Sequence, residues 1–108
     1  MIVCVPVAPN DEVGHGWGRA ARVAVTEVSG GELVSWDEYD VRWDELHDAG
    51  GEGSHHARIV RFLKDHAVEA VVAGHMGPPM HHTLDKLGVA VHTGAVGDAR
   101  DAVLAAVG

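Results

Sequence analysis

Apolar residues run unbroken from Ile2 to Val7, the pattern of a strand buried on both faces. Pro6 near its end suits an edge or a strand terminus. A loop rich in Gly, Pro, Asn and Asp follows, from Pro9 to Gly18, and carries His15 and Trp17. Over about 22–28, Val and Ala alternate with Arg and Thr, which predicts a second strand. Ser29-Gly30-Gly31-Glu32 is a tight hairpin signal, and a third strand over about 33–39 pairs back on the second. Residues 41–53 read as the longest irregular segment. Ser54 can cap the helix that follows, in which Ile59, Val60 and Leu63 share a face and which His66 ends. Residues 68–73 form a fourth strand. Pro78 suits the first turn of a second helix that buries Met80, Leu84 and Leu87 and stops at Gly88. A fifth strand over 89–92 and a last helix over 98–107 complete the order βββαβαβα.

The first three strands form an antiparallel meander, and helical crossovers join the rest as parallel neighbours. Strands one, three, four and five then run the same way. The loops 8–18, 40–53, 74–78 and 93–97 all leave their carboxyl ends. This gathers His15, His47, His55, His56, His75, His81, His82 and His92 at one edge of the sheet, with only His66 at the other. Open α/β sheets bind ligands in the crevice at that edge.

Composition narrows what the ligand is. The 108 residues make one domain, 1–108, with enough apolar side chains for a core without disulfides or metal staples. A formal charge of −8 argues against nucleic acid and anionic membranes as partners. No apolar run approaches the roughly 20 residues that span a bilayer. A single cysteine, with no basic segment ahead of the first strand, makes a cytoplasmic location the expectation. Nine histidines are several times what chance composition would supply.

Gly16-Trp17-Gly18-Arg19-Ala20 after the first strand, Gly50–Gly53 before a helix, and Ala73-Gly74-His75-Met76-Gly77-Pro78 after the fourth strand form an ordered set. Leu87-Gly88-Val89-Ala90-Val91 followed by Thr93-Gly94 completes it. The whole chain thereby resembles the dinitrogenase iron–molybdenum cofactor biosynthesis domain family, typified by nitrogenase accessory factors. The resemblance implies an α/β, ribonuclease H-like three-layer fold with a five-stranded mixed sheet in the order 3-2-1-4-5. It also implies a protein that binds, carries or assembles a metal cluster rather than turning over a substrate. Where the family usually has His-Phe-Gly, this chain has Gly16-Trp17-Gly18, with His15 one place earlier. Some members carry cysteines in the Gly-rich segment; here there are none, and His55-His56 follow it.

The candidate ligands each have a plainer reading. His75, His81 and His82 can bind a transition metal through imidazole nitrogen, with His15 and His55 or His56 completing the set. His81 and His82 can equally be ordinary exposed helix residues. Met76 and Met80 would favour Cu(I) or haem, but Met80 shares an apolar stripe with Leu84 and Leu87, and Met76 is the more open of the two. The backbone N–H groups around Gly51 and Gly53 can cradle an anion, or the segment is only a loop and cap. It lacks the lysine of a nucleotide-binding loop, so an oxyanion or anionic cluster fits better than a nucleotide. Trp17 and Trp43 wall a pocket or pack the loops down.

The expected function is a small metal- or metallocofactor-binding carrier that passes its cargo to a receiving protein. Fe, Cu, Zn and haem all stay open as the metal species. A nuclease using two Mg²⁺ ions fails for want of carboxylates on the first strand. An enzyme using a His-ligated metal and a ligand-free interaction module are the alternatives, and no nucleophile–base pair is visible for the former. The exposed edge of the third strand could pair two copies into a homodimer.

Overall fold

The computed structural model of the chain describes residues 1–46 and 51–108. Five strands, β1 (Ile2–Pro6), β2 (Arg22–Ser29), β3 (Glu32–Asp40), β4 (Ala70–Val72) and β5 (Ala90–His92), form one sheet in the order β3-β2-β1-β4-β5. β2 is antiparallel to both β1 and β3, and β1, β4 and β5 are parallel. This is the expected mixed sheet, and it sends the ends of β1, β4 and β5 to one edge.

The β2–β3 hairpin turns on Gly30 and Gly31, with φ of +60° and +78°. Two successive left-handed residues match the twist of the flanking strands, and glycine adopts them without a Cβ penalty. Glu27 pairs with Ser35 but Val28 with Leu33, so Val34 is a bulged residue, 56% exposed. The bulge kinks the edge strand.

Alternation along β1 divides the core in two. Val3, Val5 and Val7 join Ala70 and Val72 beneath α4 (Ala99–Val107), through its Ala99, Ala102 and Val103. Cys4 and Val71 face the opposite layer, made by α2 (Gly51–Asp65) and α3 (Pro78–Lys86) through Ile59, Leu63, Met80 and Leu84. Each fully buried aliphatic side chain of this kind stabilises the fold by on the order of 1.5–3 kcal/mol. Burial also pushes the Cys4 thiol far above its ordinary range, because the thiolate would lose its hydration.

Two expectations need correction. The segment expected to be irregular contains a helical turn, α1 (Trp43–Leu46), seeded by the buried Trp43. The following helix starts at Gly51 rather than after Ser54, so Gly51 and Gly53 belong to its first turn and not to a loop. Glycine is a poor helix former, and tertiary ties override that preference here. Arg58 Nη1 donates to the Leu46 carbonyl (3.3 Å), and His55 Nε2 bonds the Gly18 carbonyl (2.7 Å). His47, Asp48 and Gly50 lie outside the described residues. At the other end α2 stops before His66, whose ring packs against Tyr39 and Phe62 with centroids 4.7 and 4.4 Å away.

Candidate functional site

The loops after β1, β4 and β5 are welded together by backbone hydrogen bonds. Trp17 N donates to the His75 carbonyl (3.0 Å), Gly94 N to Gly74 O (2.9 Å), Ala95 N to Ala73 O (3.1 Å) and Val13 N to Gly97 O (2.8 Å). Gly74 is the crossing point. A Cβ there would stand 3.0 Å from the His15 carbonyl, 3.4 Å from that of Ala95 and 3.5 Å from that of Gly14. A Cβ would push these carbonyls back by a few tenths of an ångström, a close approach of three backbones that glycine permits without strain.

Among the described residues, three adjoining clefts open along this edge around the expected site residues, and a further one of about 230 Å³ lies beside the first at Arg22 and Asp40. One of about 500 Å³ lies between the β1 and β4 loops and is lined by His15, Trp17, Arg19, Arg22, His75 and Met76, among others. A second, of about 380 Å³, shares His15 and His75 and extends to the β5 loop. The third, of about 180 Å³, shares Trp17 and Met76 and is closed by His55, His56 and Met80.

The first cleft inverts the sign of the chain. Acidic residues outnumber Lys and Arg by 16 to 8, yet no Asp or Glu is among the described residues lining it. Arg22 is held by Asp40 (2.9 Å) and Glu38 (3.4 Å), which raise its already high pKa and neutralise its charge. Arg19 has no such carboxylate among the described residues, so it is the unneutralised cation of the cleft. It was not singled out from the sequence. The available signal was that Arg19 is the only Lys or Arg between β1 and β2 apart from the strand residue Arg22.

The expected site residues separate into groups. His15 and His75 are exposed, on adjacent loops, and line the same two clefts. Trp17 and Met76 also line the crevice, but both are buried; Met76 is 7% exposed and belongs to the core, against the more open position expected. His55 is 3% exposed, with Nε2 on the Gly18 carbonyl and Nδ1 3.2 Å from Arg58 Nη1. Both ring nitrogens are thus engaged by the protein, which gives it an anchoring position. His81 and His82 sit on α3, half-buried and exposed, with His81 Nε2 3.7 Å from Asp85. Neither lines the three clefts, and nor do Gly51 and Gly53. Among the described residues, no three His, Cys, Asp or Glu side chains stand together as a metal-ion site. Trp43 does not wall the crevice. It packs edge-to-face on Trp17, with centroids 5.2 Å apart. No helix among the described residues is long and apolar enough to cross a membrane.

Sheet order and crevice define a small α/β domain with its clefts at the carboxyl ends of β1, β4 and β5. The chain belongs to the dinitrogenase iron-molybdenum cofactor family, whose model matches residues 1–108. Among solved structures it is similar to PH0822, at 22% identity and a TM-score of 0.76, over 98% of this chain and 88% of that one. It is also similar to the Methanocaldococcus jannaschii protein mj0327, named for dinitrogenase, at 16% identity and a TM-score of 0.65, over 96% and 84%. At these identities the likeness concerns the fold. No curated protein matches the chain.

Proposed function

We propose that this protein is a carrier for an anionic metallocluster or its metal–sulfur precursor, held in the crevice between the β1 and β4 loops and passed on to a receiving protein. Family membership supports the handling of an iron–molybdenum type of cofactor. The single observation that carries the reading is the 500 Å³ cleft, lined by Arg19, His15 and His75 and by no described carboxylate in a chain of charge −8. A bare cation needs several protein donors around one point. A preformed cluster brings its own inorganic ligands and needs only one or two protein donors, a complementary charge and apolar walls. His15 and His75 supply the donors, Arg19 the charge and Met76 a soft wall. His55 anchors α2 against the β1 loop. His82 is exposed and His81 half-buried on α3, a face open to a receiving protein. The protein works in the cytoplasm and has no nucleic acid or membrane partner.

The test is metal analysis and an optical spectrum of untagged protein, purified without oxygen, beside a His15→Ala/His75→Ala variant. The reading predicts Fe or Mo with inorganic sulfide in the wild type, and its loss in the variant. Stoichiometric Zn²⁺ or Cu⁺ without sulfide, or cargo retained in full by the double variant, would contradict it.

A further inference from the structure

Arg22 opens β2 and meets Asp40, the last residue of β3, as its direct cross-strand partner. Its guanidinium is shared between two carboxylates. Nε donates to Asp40 at 2.9 Å and Nη1 to Glu38 at 3.4 Å, while Nη2 has no hydrogen-bond partner among the described residues. Such pairs are common ties between strands, and this one serves the β2–β3 hairpin. Its position adds something that a tie does not need. Arg22 lies in the wall of both the 500 Å³ and the 230 Å³ clefts, whereas Asp40 lines only the second and Glu38 neither. The arginine thus stands between its carboxylates and the cleft that Arg19, His15 and His75 line.

The pair is also easily exchanged. The side chains of Arg22 and Asp40 are 50% and 71% exposed, and an ion pair this open to water shifts an equilibrium by no more than about fivefold. Neither acid is stranded when the arginine leaves. Asp40 passes to water, and Glu38 keeps the indole of Trp36, whose Nε1 donates to it at 2.9 Å beneath the stacked guanidinium of Arg100.

We propose that Arg22 is a second anion-binding residue of the crevice, held by Asp40 and Glu38 until the cargo arrives and then exchanged onto it. The proposal rests on the carrier function and deepens it. A dianionic cargo offers the guanidinium twice the charge of a carboxylate, in charge-assisted hydrogen bonds of the same kind. Asp40 competes with the cargo for Arg22, so it keeps the affinity below what two free arginines would give. The same competition returns Arg22 to Asp40 as the cargo passes to the receiving protein. Asp40 is thereby a positioning residue for release.

The probe is tetrathiomolybdate, in equilibrium dialysis with molybdenum analysis at low ionic strength, where surface charges are least screened. Asp40→Asn and Asp37→Asn are each made in the wild type and in Arg22→Gln. Asp37 is exposed on the same strand and lines none of the four clefts, so its variant reports the general effect of one lost negative charge. Asp40→Asn should bind up to about fivefold more tightly than Asp37→Asn, and in Arg22→Gln that difference should vanish. An Asp40→Asn protein no tighter than Asp37→Asn, or a difference that survives Arg22→Gln, would overturn the exchange while leaving the carrier reading intact. Failure of wild type and Asp40→Asn alike to retain the anion would overturn both. A second readout is direct. In protein carrying ¹⁵N-arginine, the Arg22 Nε–H resonance, assigned by its loss in Arg22→Gln, should move on adding tetrathiomolybdate. That of Arg42, paired with Glu45 at 2.9 Å and lining none of the four clefts, should stay in place. An Arg22 resonance that does not move at saturation would refute the proposal.

Discussion

Replacing Gly74 with alanine tests the weld between the β1, β4 and β5 loops. The new Cβ would meet three carbonyl oxygens, of His15, Ala95 and Gly14, at 3.0, 3.4 and 3.5 Å. All three are backbone atoms, so none can turn away as a side chain would. Relief requires the loops to separate by a few tenths of an ångström, which strains the bonds Gly94 N to Gly74 O and Trp17 N to His75 O. Overpacking of this kind costs about 1–3 kcal/mol. Against it stands a gain of about 0.4–1 kcal/mol, because alanine restricts the unfolded chain more than glycine. The net expectation is a loss of about 1–2 kcal/mol, at roughly 4–8 °C of melting temperature per kcal/mol in a domain of this size. Gly16→Ala and Gly18→Ala are the internal controls. Neither site has a heavy atom within 4 Å of the added Cβ or a left-handed φ, so both should be neutral or more stable by up to about 1 kcal/mol. Urea melts of the three variants read the sign directly. A Gly74→Ala protein as stable as Gly16→Ala would refute the close-approach argument.

Three further perturbations probe the fold. The native Cys4 thiol keeps its proton well above the unfolded value of about 8.5, so its contribution is complete below that pH and is lost as pH rises beyond it, at about 1.4 kcal/mol per unit. Urea melts at pH 8 and pH 10 should show that slope in wild type but not in Cys4→Ala; the same slope in both would contradict the burial argument. Asp98 caps α4 by accepting from Asp101 N at 3.0 Å, so Asp98→Ala should cost about 0.5–2 kcal/mol in the same assay, and no loss would dismiss the cap. Ala67 holds φ of +54° at the end of α2, where Val68 N bonds Leu63 O, so Ala67→Gly should gain up to about 1 kcal/mol, and a destabilised variant would argue against a left-handed cap.

The sheet was readable because each strand carries a local signal and the connections leave few ways to join them. The paired glycines fixed the hairpin, and helical crossovers fixed parallel neighbours. From that topology alone His15 and His75 could be brought to one edge. The start of α2 was not readable, since Gly51 and Gly53 oppose helix locally and are held by His55 on Gly18 and Arg58 on Leu46, contacts made across long stretches of chain. Nor did the pattern show that His55 is packed inward. A histidine next to a helix start reads the same whether its nitrogens meet solvent or a carbonyl. Arg19 was visible only as part of a motif. Its significance comes from carboxylates that pair with Arg22 and not with it, which is a property of the folded surface.

The central claim is that the crevice is built for an anionic cargo, and charge reversal tests it most directly. Arg19 lines the 500 Å³ cleft, whereas Arg61 is exposed on α2 and lines none of the three clefts. Arg19→Glu and Arg61→Glu change the net charge equally, so equilibrium dialysis of tetrathiomolybdate against both separates a local site from a general field. The account predicts that Arg19→Glu loses most of the binding and Arg61→Glu keeps it. Equal affinity in the two variants would contradict it.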